Sequence, residues 1–488
     1  MTLRKQVLAG SAYSLAGQAT VFAAQFAAGI VLARLLAPSD FGIIAIALVV
    51  SSFANIIQGM GLSSAVIQKR MTDPDALNTA FTLNALLVLV LLPVILLWIA
   101  PAWGQWYNVP ELVTVVRVQC LFLLFSAVLF IPNTVCQVHM RFGVLSAATM
   151  IGAMAGSLLS VVLAYVWRNY WALVCGQLVG GVVLVVILLW LAPYRPRLRF
   201  DGKKAAVLFS FGKILFCLHL LTFVTRQADK VIGGRVLDID TLGVYFQAQK
   251  WGSLAVVTMI MAVQRVFFSA YSHKKNDRVA LVNAFGHSVL MSFSLIAPCS
   301  VGLALIAPDF VTFVLGERWL PAVTPMRCFA LLSIFRLFVS LIAPVFLAIG
   351  RPELSLRASL ITKPILLVAV AIFAREYGLI GIVAAVGLDH FLMLVLFIVM
   401  NRKHVGLPLA SAAGRMRVPL VLSLVMVPVW WAFQGMVPGL WRMGLTILAC
   451  AATYAVLYTA WFRLTSWQRL LEFARQGPDA AHGETVSK

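Results

Sequence analysis

The chain has 488 residues, 62% of them hydrophobic and only 11% charged, against roughly 25% charged residues in a soluble domain. Its formal net charge is +21. In a soluble protein that excess would point to nucleic acid, but here the basic residues gather at the ends of apolar runs with no aromatic-basic recognition motif, the pattern of positive-inside topology and anionic-lipid contact.

In chain order, apolar runs predict helices over 11–36, 41–62, 79–103, 112–134, 143–166 and 171–192, then 206–232, 242–264, 281–306, 324–349, 356–374, 379–400, 417–434 and 443–463. A spanning helix takes about 20 residues, so fourteen spans leave only short loops and no large soluble domain. The runs have to be helices, because an isolated span must satisfy its own backbone in lipid, and the ten-residue alternation of a membrane barrel is absent. Arg4 and Lys5 precede the first run, but Gln18 and Gln25 interrupt it and it continues to Leu36, so it reads as a span rather than a cleaved leader.

Alternate loops are basic: Lys69/Arg70, Arg141, Arg195 to Lys204, Lys274/Lys275/Arg278, Arg351/Arg357 and Arg402/Lys403/Arg415/Arg417. With fourteen spans these fall on one side, which the positive-inside rule makes cytoplasmic together with both termini. The opposite loops, at 38–40, 104–111, 167–171, 375–378 and 434–442, are short and carry the Trp and Tyr of an interfacial belt. The expected organisation is an all-α polytopic membrane protein. It has an N-lobe of spans 1–6 (1–193), a basic cytoplasmic linker (194–205) that reads as a hinge, a C-lobe of spans 7–12 (206–404), two further spans (405–465) and a cytoplasmic tail (466–488). A weak internal repeat supports the two lobes: IVLARLLAPSDFG (30–42) aligns with VIGGRVLDIDTLG (231–243), so that Arg34 meets Arg235, Leu36 meets Leu237 and Gly42 meets Gly243. Six spans per lobe make the repeats parallel.

The informative residues are the polar ones inside spans. Ser11, Ser14, Gln18 and Gln25 share one face of span one, and Ser51, Asn55, Gln58 and Ser63 recur at helical spacing in span two. Such stripes either line a polar cavity or hydrogen-bond between helices. Span seven holds Lys213, His219, Arg226, Asp229 and Lys230, the last three at i, i+3 and i+4, and Lys250 follows in span eight, flanked by Gln247 and Gln249. Charges at that depth face water or one another. The functional reading is a cationic cavity for an anionic group such as a phosphate; the structural one is an ion-pair cluster, with Asp229 as counter-ion or as a proton-coupling carboxylate. Asp389 and His390 in span twelve form either a proton-coupling pair or a structural one. Arg336 and Lys363 are cavity-wall or end-anchor candidates.

Seven cysteines lie in or beside apolar segments, without a CxxC or a Cys/His cluster, so no disulfide framework, metal site or cofactor is expected. GxSxG, HExxH, P-loop and dinucleotide fingerprints are missing, and no loop is long enough for a nucleotide domain, which argues for a transporter over an enzyme.

The segments LARLLAPSDFGIIAIALVV (32–50), GMGLSSAVIQKR (59–70), HMRFGVLSAA (139–148), NYWALVCGQLVG (169–180), RQADKVIGGRVLDIDTLGVYFQAQKW (226–251) and LPAVTPMRCFALLSIFR (320–336) resemble the polysaccharide transporters of the multidrug/oligosaccharidyl-lipid/polysaccharide superfamily, near Wzx/WzxC-type flippases. The resemblance implies a 14-helix flippase fold of two pseudo-symmetric six-helix lobes plus two helices. It also implies a bacterial inner-membrane location and transfer of an undecaprenyl-diphosphate-linked oligosaccharide to the outer leaflet, for exopolysaccharide or lipopolysaccharide synthesis. A polysaccharide polymerase and co-polymerase are the implied partners, and spans one, two, seven and eight the implied cavity walls. His219, Arg226, Lys230 and Lys250 would then hold the diphosphate and Gln18, Gln25, Asn55 and Gln58 the sugars, with Asp229, Asp389 and His390 as ion-coupling candidates. The alternatives are a multidrug antiporter, a lipid II flippase and a non-transporting scaffold of a polysaccharide assembly complex.

Overall fold

Why the chain divides into rods where it does is written in its helix-starting residues. Proline stands at the first helical position at Pro38, Pro74 and Pro110, where its missing N–H is no loss and its fixed φ suits the helix. Asp73 caps the same start as Pro74, and Asp201 and Asp277 cap two others, their carboxylates accepting from the amides of Ala76 (3.2 Å), Lys203 (2.8 Å) and Ala280 (2.9 Å). The computed structural model describes residues 3–69, 71, 73–139, 141–191, 197–254, 271, 277–436 and 439–476.

Those residues form fourteen rods and no strand among them. They are α1 (Leu3–Leu35), α2 (Pro38–Lys69), α3 (Pro74–Tyr107), α4 (Pro110–Val138), α5 (Phe142–Trp167), α6 (Trp171–Leu191), α7 (Gly202–Val236), α8 (Ile239–Gly252), α9 (Arg278–Leu315), α10 (Glu317–Ala348), α11 (353–377), α12 (379–404), α13 (Leu409–Ala432) and α14 (Leu440–Gln476). The last of these runs on past its span. α11 and α12 are the arms of one continuous stretch, Glu353–His404, broken at Gly378 with φ 58°. Ten helices, with that double arm counted once, are long and apolar enough to cross a membrane; α1, α7 and α8 complete the set. Arg70, Arg195 and Lys274/Lys275 lie outside the described residues, as does the end of span eight.

The repeat is visible in local geometry. α3 and α9, the third span of each half, both contain a π-helical turn: Ile95–Ile99 lies two helical turns before the end of α3, and Phe310–Leu315 ends α9. The sequence alignment anticipated neither turn.

Two compact units divide the contacts. The first comprises Met1–Gln247, Leu315–Pro321 and Lys363–Val386; the second comprises Ala248–Val314, Ala322–Thr362 and Gly387–Lys488. In the first, α5 and α6 approach backbone to backbone along Gly152/Gly156 and Gly176/Gly180. A Cβ on Gly156 would stand 2.7 Å from the Gly176 carbonyl, the small-residue packing that draws helices together where lipid supplies no hydrophobic drive. In the second, a core of Phe285, Phe293, Leu337, Phe338, Leu341, Phe346 and Phe397 joins α9, α10 and α12. α13 and α14 pack against α9, where the Arg442 guanidinium of α14 pairs with the buried Asp309 carboxylate and Tyr454 donates to the Ser294 carbonyl at 2.8 Å.

The segment joining α6 to α7 was expected to be a hinge. Its described part, 197–201, is an extended segment hydrogen-bonded to α3. The amides of Arg197, Arg199 and Asp201 donate to Asn78 (2.9 Å), Thr82 (3.1 Å) and Thr79 (3.1 Å). Lys204 then pairs with Asp73.

Candidate functional site

On α7, His219, Arg226 and Lys230 follow each other by seven and four residues, which places them along one helical stripe. His219 and Arg226 are exposed and Lys230 is half-buried. An exposed guanidinium within a membrane helix is costly unless it meets water or an anion. Lys230 donates to Gln227 (3.1 Å) and sits over the Phe246 ring at 5.6 Å. The Asp229 carboxylate, beside this stripe and 5% exposed, accepts from the Tyr245 hydroxyl of α8. That bond fixes the α7–α8 corner and gives Asp229 a defined structural partner. On α8 the exposed Lys250 lies over its neighbour Trp251 at 5.1 Å, while the Trp251 ring is buried.

The predicted sugar-contacting residues fall into different places. Gln25 is exposed on α1; the Gln18 side chain lies outside the described residues. Asn55 is half-buried and donates to the Ser51 carbonyl (2.8 Å). Gln58 is 3% exposed and fully engaged. It donates to Asn84 (3.2 Å) and to the Leu123 carbonyl (3.3 Å), accepts from Ser126 (2.6 Å), and its own carbonyl accepts from Asn84 (2.9 Å). Gln119 donates to Gln177 (3.1 Å) and Ser63 meets Thr134 (2.9 Å) in the same bundle. Gln58 thus ties α2 to α3 and α4 rather than offering its amide to a ligand. Asn84, Gln119, Ser126 and Gln177 were not singled out from the sequence, since a lone polar residue in a span does not name its partner.

Asp389 is buried and His390 half-buried on α12; Arg336 and Lys363 are half-buried on α10 and α11. Arg442 and Asp309 were also missed: they stand 133 residues apart, at the ends of separate spans.

The repeat-matched ends of α1–α2 and α7–α8 meet within the first unit. A Cβ on Gly42 would stand 2.1 Å from the Ile239 carbonyl oxygen, and one on Gly243 would stand 1.8 Å from the Pro38 carbonyl oxygen. Pro38 and Ile239 are themselves repeat equivalents at the offset of Gly42 and Gly243, so the contact is reciprocal, as a local two-fold axis requires. The flanking turns do the same. The Tyr107 hydroxyl, before the α3–α4 turn, donates to the Val231 carbonyl of α7 (2.9 Å). After the α9–α10 turn, Trp319 donates to the Ala33 carbonyl (2.8 Å) and Arg318 to the Leu36 carbonyl (3.1 Å) at the end of α1. Those last carbonyls have no partner within α1, so the donors complete the helix end. Phe41 packs edge-on against Trp319 (5.4 Å), and the exposed Arg235 lies over Trp106 at 6.0 Å. Asp40 is buried there and accepts from the amides of Ala37 (2.8 Å) and Tyr170 (2.9 Å). The junction therefore seals the ends of two helix pairs with carbonyls, amides and rings, leaving no room for a side chain at Gly42 or Gly243.

A family model described as "polysaccharide biosynthesis protein" matches residues 31–324. The succinoglycan biosynthesis transport protein ExoT of Rhizobium meliloti (strain 1021) is 25% identical over 64% of this chain and 64% of its own length. The lipopolysaccharide biosynthesis protein WzxC of Escherichia coli (strain K12) is 22% identical over 88% of each. The match with ExoT thus spans a little under two thirds of that protein, and the match with WzxC most of it. Among solved structures, the lipid II flippase MurJ in an inward closed conformation superposes with a TM-score of 0.78 at 13% identity, covering 93% of this chain and 99% of that one. An inward-facing multidrug resistance transporter of the MATE family gives 0.60 at 16% identity, covering 79% and 94%. These two likenesses establish the fold.

Proposed function

The chain belongs to the family of polysaccharide biosynthesis proteins, and from that premise we propose that it is a flippase for a polyprenyl-diphosphate-linked oligosaccharide, working by alternating access in the bacterial inner membrane with both termini cytoplasmic. The observation that carries the reading is the stripe of His219, Arg226 and Lys230 on α7, with Lys250 a separate cation on α8: cations inside membrane helices, exposed or half-buried. A diphosphate is the natural counter-charge for such a row, because guanidinium and ammonium groups bind phosphate oxygens through charge-assisted hydrogen bonds. Gln25 and Asn55 are the sugar-contacting candidates; Gln58 serves the bundle. Asp229 holds the α7–α8 corner through Tyr245, and Asp389 with His390 remains the proton-coupling candidate. Lobes over 1–193 and 206–404 with two appended spans suit the reciprocal junction. A polymerase and co-polymerase that consume the flipped unit are the fitting partners.

Binding chemistry alone suffices for this task, since the transported molecule is unchanged and the helices supply a charged path across an apolar barrier. Reconstituted vesicles carrying a defined polyprenyl-diphosphate oligosaccharide test it. The wild type moves the glycan to the far leaflet, whereas Arg226→Ala, Lys230→Ala and Lys250→Ala each lower the rate at equal protein content. Full rates in all three variants would sink the cationic path. Impermeant-thiol labelling checks the orientation: a cysteine at 200 reacts from the cytoplasm and one at 106 from outside, and the reverse overturns it.

A further inference from the structure

The extended segment 197–201, ahead of α7, has a chemistry of its own. Its amides at 197, 199 and 201 all point to α3, and the Arg199 carbonyl accepts from Thr82 (2.8 Å). Alternate amides pointing one way define an extended strand, whose successive side chains leave on opposite faces. Arg197 and Arg199 therefore share one face, and Leu198 and Phe200 the other. Leu198 is 74% exposed and Phe200 61% exposed, and both arginines are exposed as well. Arg199 lies 3.8 Å from Asp75, a loose contact that leaves its guanidinium open. Exposed Lys203 and Lys69 extend the positive charge along the ends of α7 and α2.

Two large apolar side chains standing side by side on an exposed strand call for a cover, and their position supplies one. Residues 197–201 fall between the end of one span, Leu191, and the start of the next, Gly202, which holds them at the level of the lipid headgroups. We infer that residues 197–204 form a membrane-surface anchor, in which Leu198 and Phe200 insert between the acyl chains and headgroups of an anionic leaflet and Arg197, Arg199 and Lys203 bind its phosphates. Apolar insertion beside basic residues is the shared requirement of interfacial attachment. Each Lys or Arg near such a surface adds a favourable increment that salt weakens. Docking on α3 through Asn78, Thr79 and Thr82 makes the strand rigid enough to present the two faces in register, which a loose linker would not do. The anchor ties the start of α7, the helix that bears the cationic stripe, to both α3 and the leaflet.

The test uses the full chain with a spin label placed singly at 197, 198, 199 or 200. In the host protein the exposed Cys217 and Cys299 and the half-buried Cys175 and Cys328 are serine. A size-exclusion profile like that of the wild type certifies each variant. The protein is reconstituted in phosphatidylcholine vesicles and in phosphatidylcholine–phosphatidylglycerol vesicles. Collision with oxygen, enriched in lipid, should exceed collision with an aqueous nickel chelate severalfold at 198 and 200, and the ratio should invert at 197 and 199. Phosphatidylglycerol should deepen the labels at 198 and 200, and R197Q/R199Q should abolish that shift. Equal nickel accessibility at all four positions in both vesicles would overturn the anchor and leave an acidic protein as the cover. Alternation with no response to phosphatidylglycerol would overturn its anionic-lipid part. Neither outcome bears on whether the protein flips a glycolipid.

Discussion

Replacing Gly243 by alanine should loosen the junction of α2 and α8. The new Cβ would start 1.8 Å from the Pro38 carbonyl oxygen, whereas real Cβ atoms essentially never come closer than 3.0 Å. The obstacle is backbone at a helix start, which has no rotamer with which to move aside, so the helix ends themselves must separate. Overpacking of this kind costs about 1–3 kcal/mol. The separation also strains the hydrogen bonds from Tyr107 and Trp319 that span the same junction, each worth about 0.5–1.5 kcal/mol net. A combined loss of about 3 kcal/mol corresponds to roughly a hundredfold greater population of the open junction. Leu36, fully buried at the end of α1, reports it. A Leu36→Cys probe in the host with Cys217 and Cys299 replaced by serine should resist an impermeant maleimide when Gly243 is present, and react about a hundredfold faster with Gly243→Ala. Gly42→Ala, whose Cβ meets the Ile239 carbonyl at 2.1 Å, should act alike through the reciprocal contact. Gly414→Ala, with nothing within 4 Å of its Cβ, should leave the rate unchanged. An unaltered rate in both Gly42→Ala and Gly243→Ala would refute the reasoning.

Other perturbations test separate parts of the molecule. Arg442→Ala leaves the Asp309 carboxylate buried without its partner, and should destabilise the packing of α14 on α9 by about 3–5 kcal/mol, with a smaller loss in Arg442→Leu/Asp309→Leu; thermal unfolding in detergent measures both, and equal losses would remove the pair's role. Lys204, hydrogen-bonded to Asp73, holds that carboxyl below its ordinary value of 3.8. The contribution of this contact is therefore complete above pH 3.8, and fades as acid lowers the pH through the depressed value. Protease or label access at the strand should rise only in that acid range, and Asp73→Asn should remove the dependence. Asp389→Asn should change the pH profile of transport if protons couple at α12, and an identical profile dismisses that role.

Composition and hydrophobic period were enough to reveal a fourteen-span membrane protein, its alternation of basic and neutral loops, and a repeat that pairs Gly42 with Gly243. These are local properties: an apolar run must become a helix in lipid whatever lies beside it, and loop charge is read directly from the chain. The cations of α7 and α8 were legible for the same reason, since a Lys or Arg inside an apolar run is conspicuous by itself. What each polar side chain touches was not legible. Gln58 carried the same signal as Asn55, yet its amide is consumed by Asn84, Ser126 and Leu123, because only packing decides whether a polar stripe meets water or another helix. The linker's charge and glycine suggested a hinge and said nothing of Asn78, Thr79 and Thr82, more than 110 residues away in the chain, which hold residues 197–201 against α3. Arg442 found Asp309 in the same way. The sequence by itself determined which segments cross the membrane and where their charges lie; the tertiary structure decided which of those charges and amides are spent on one another and which stay open to a ligand, because that choice depends on neighbours that the chain brings together only when its helices pack.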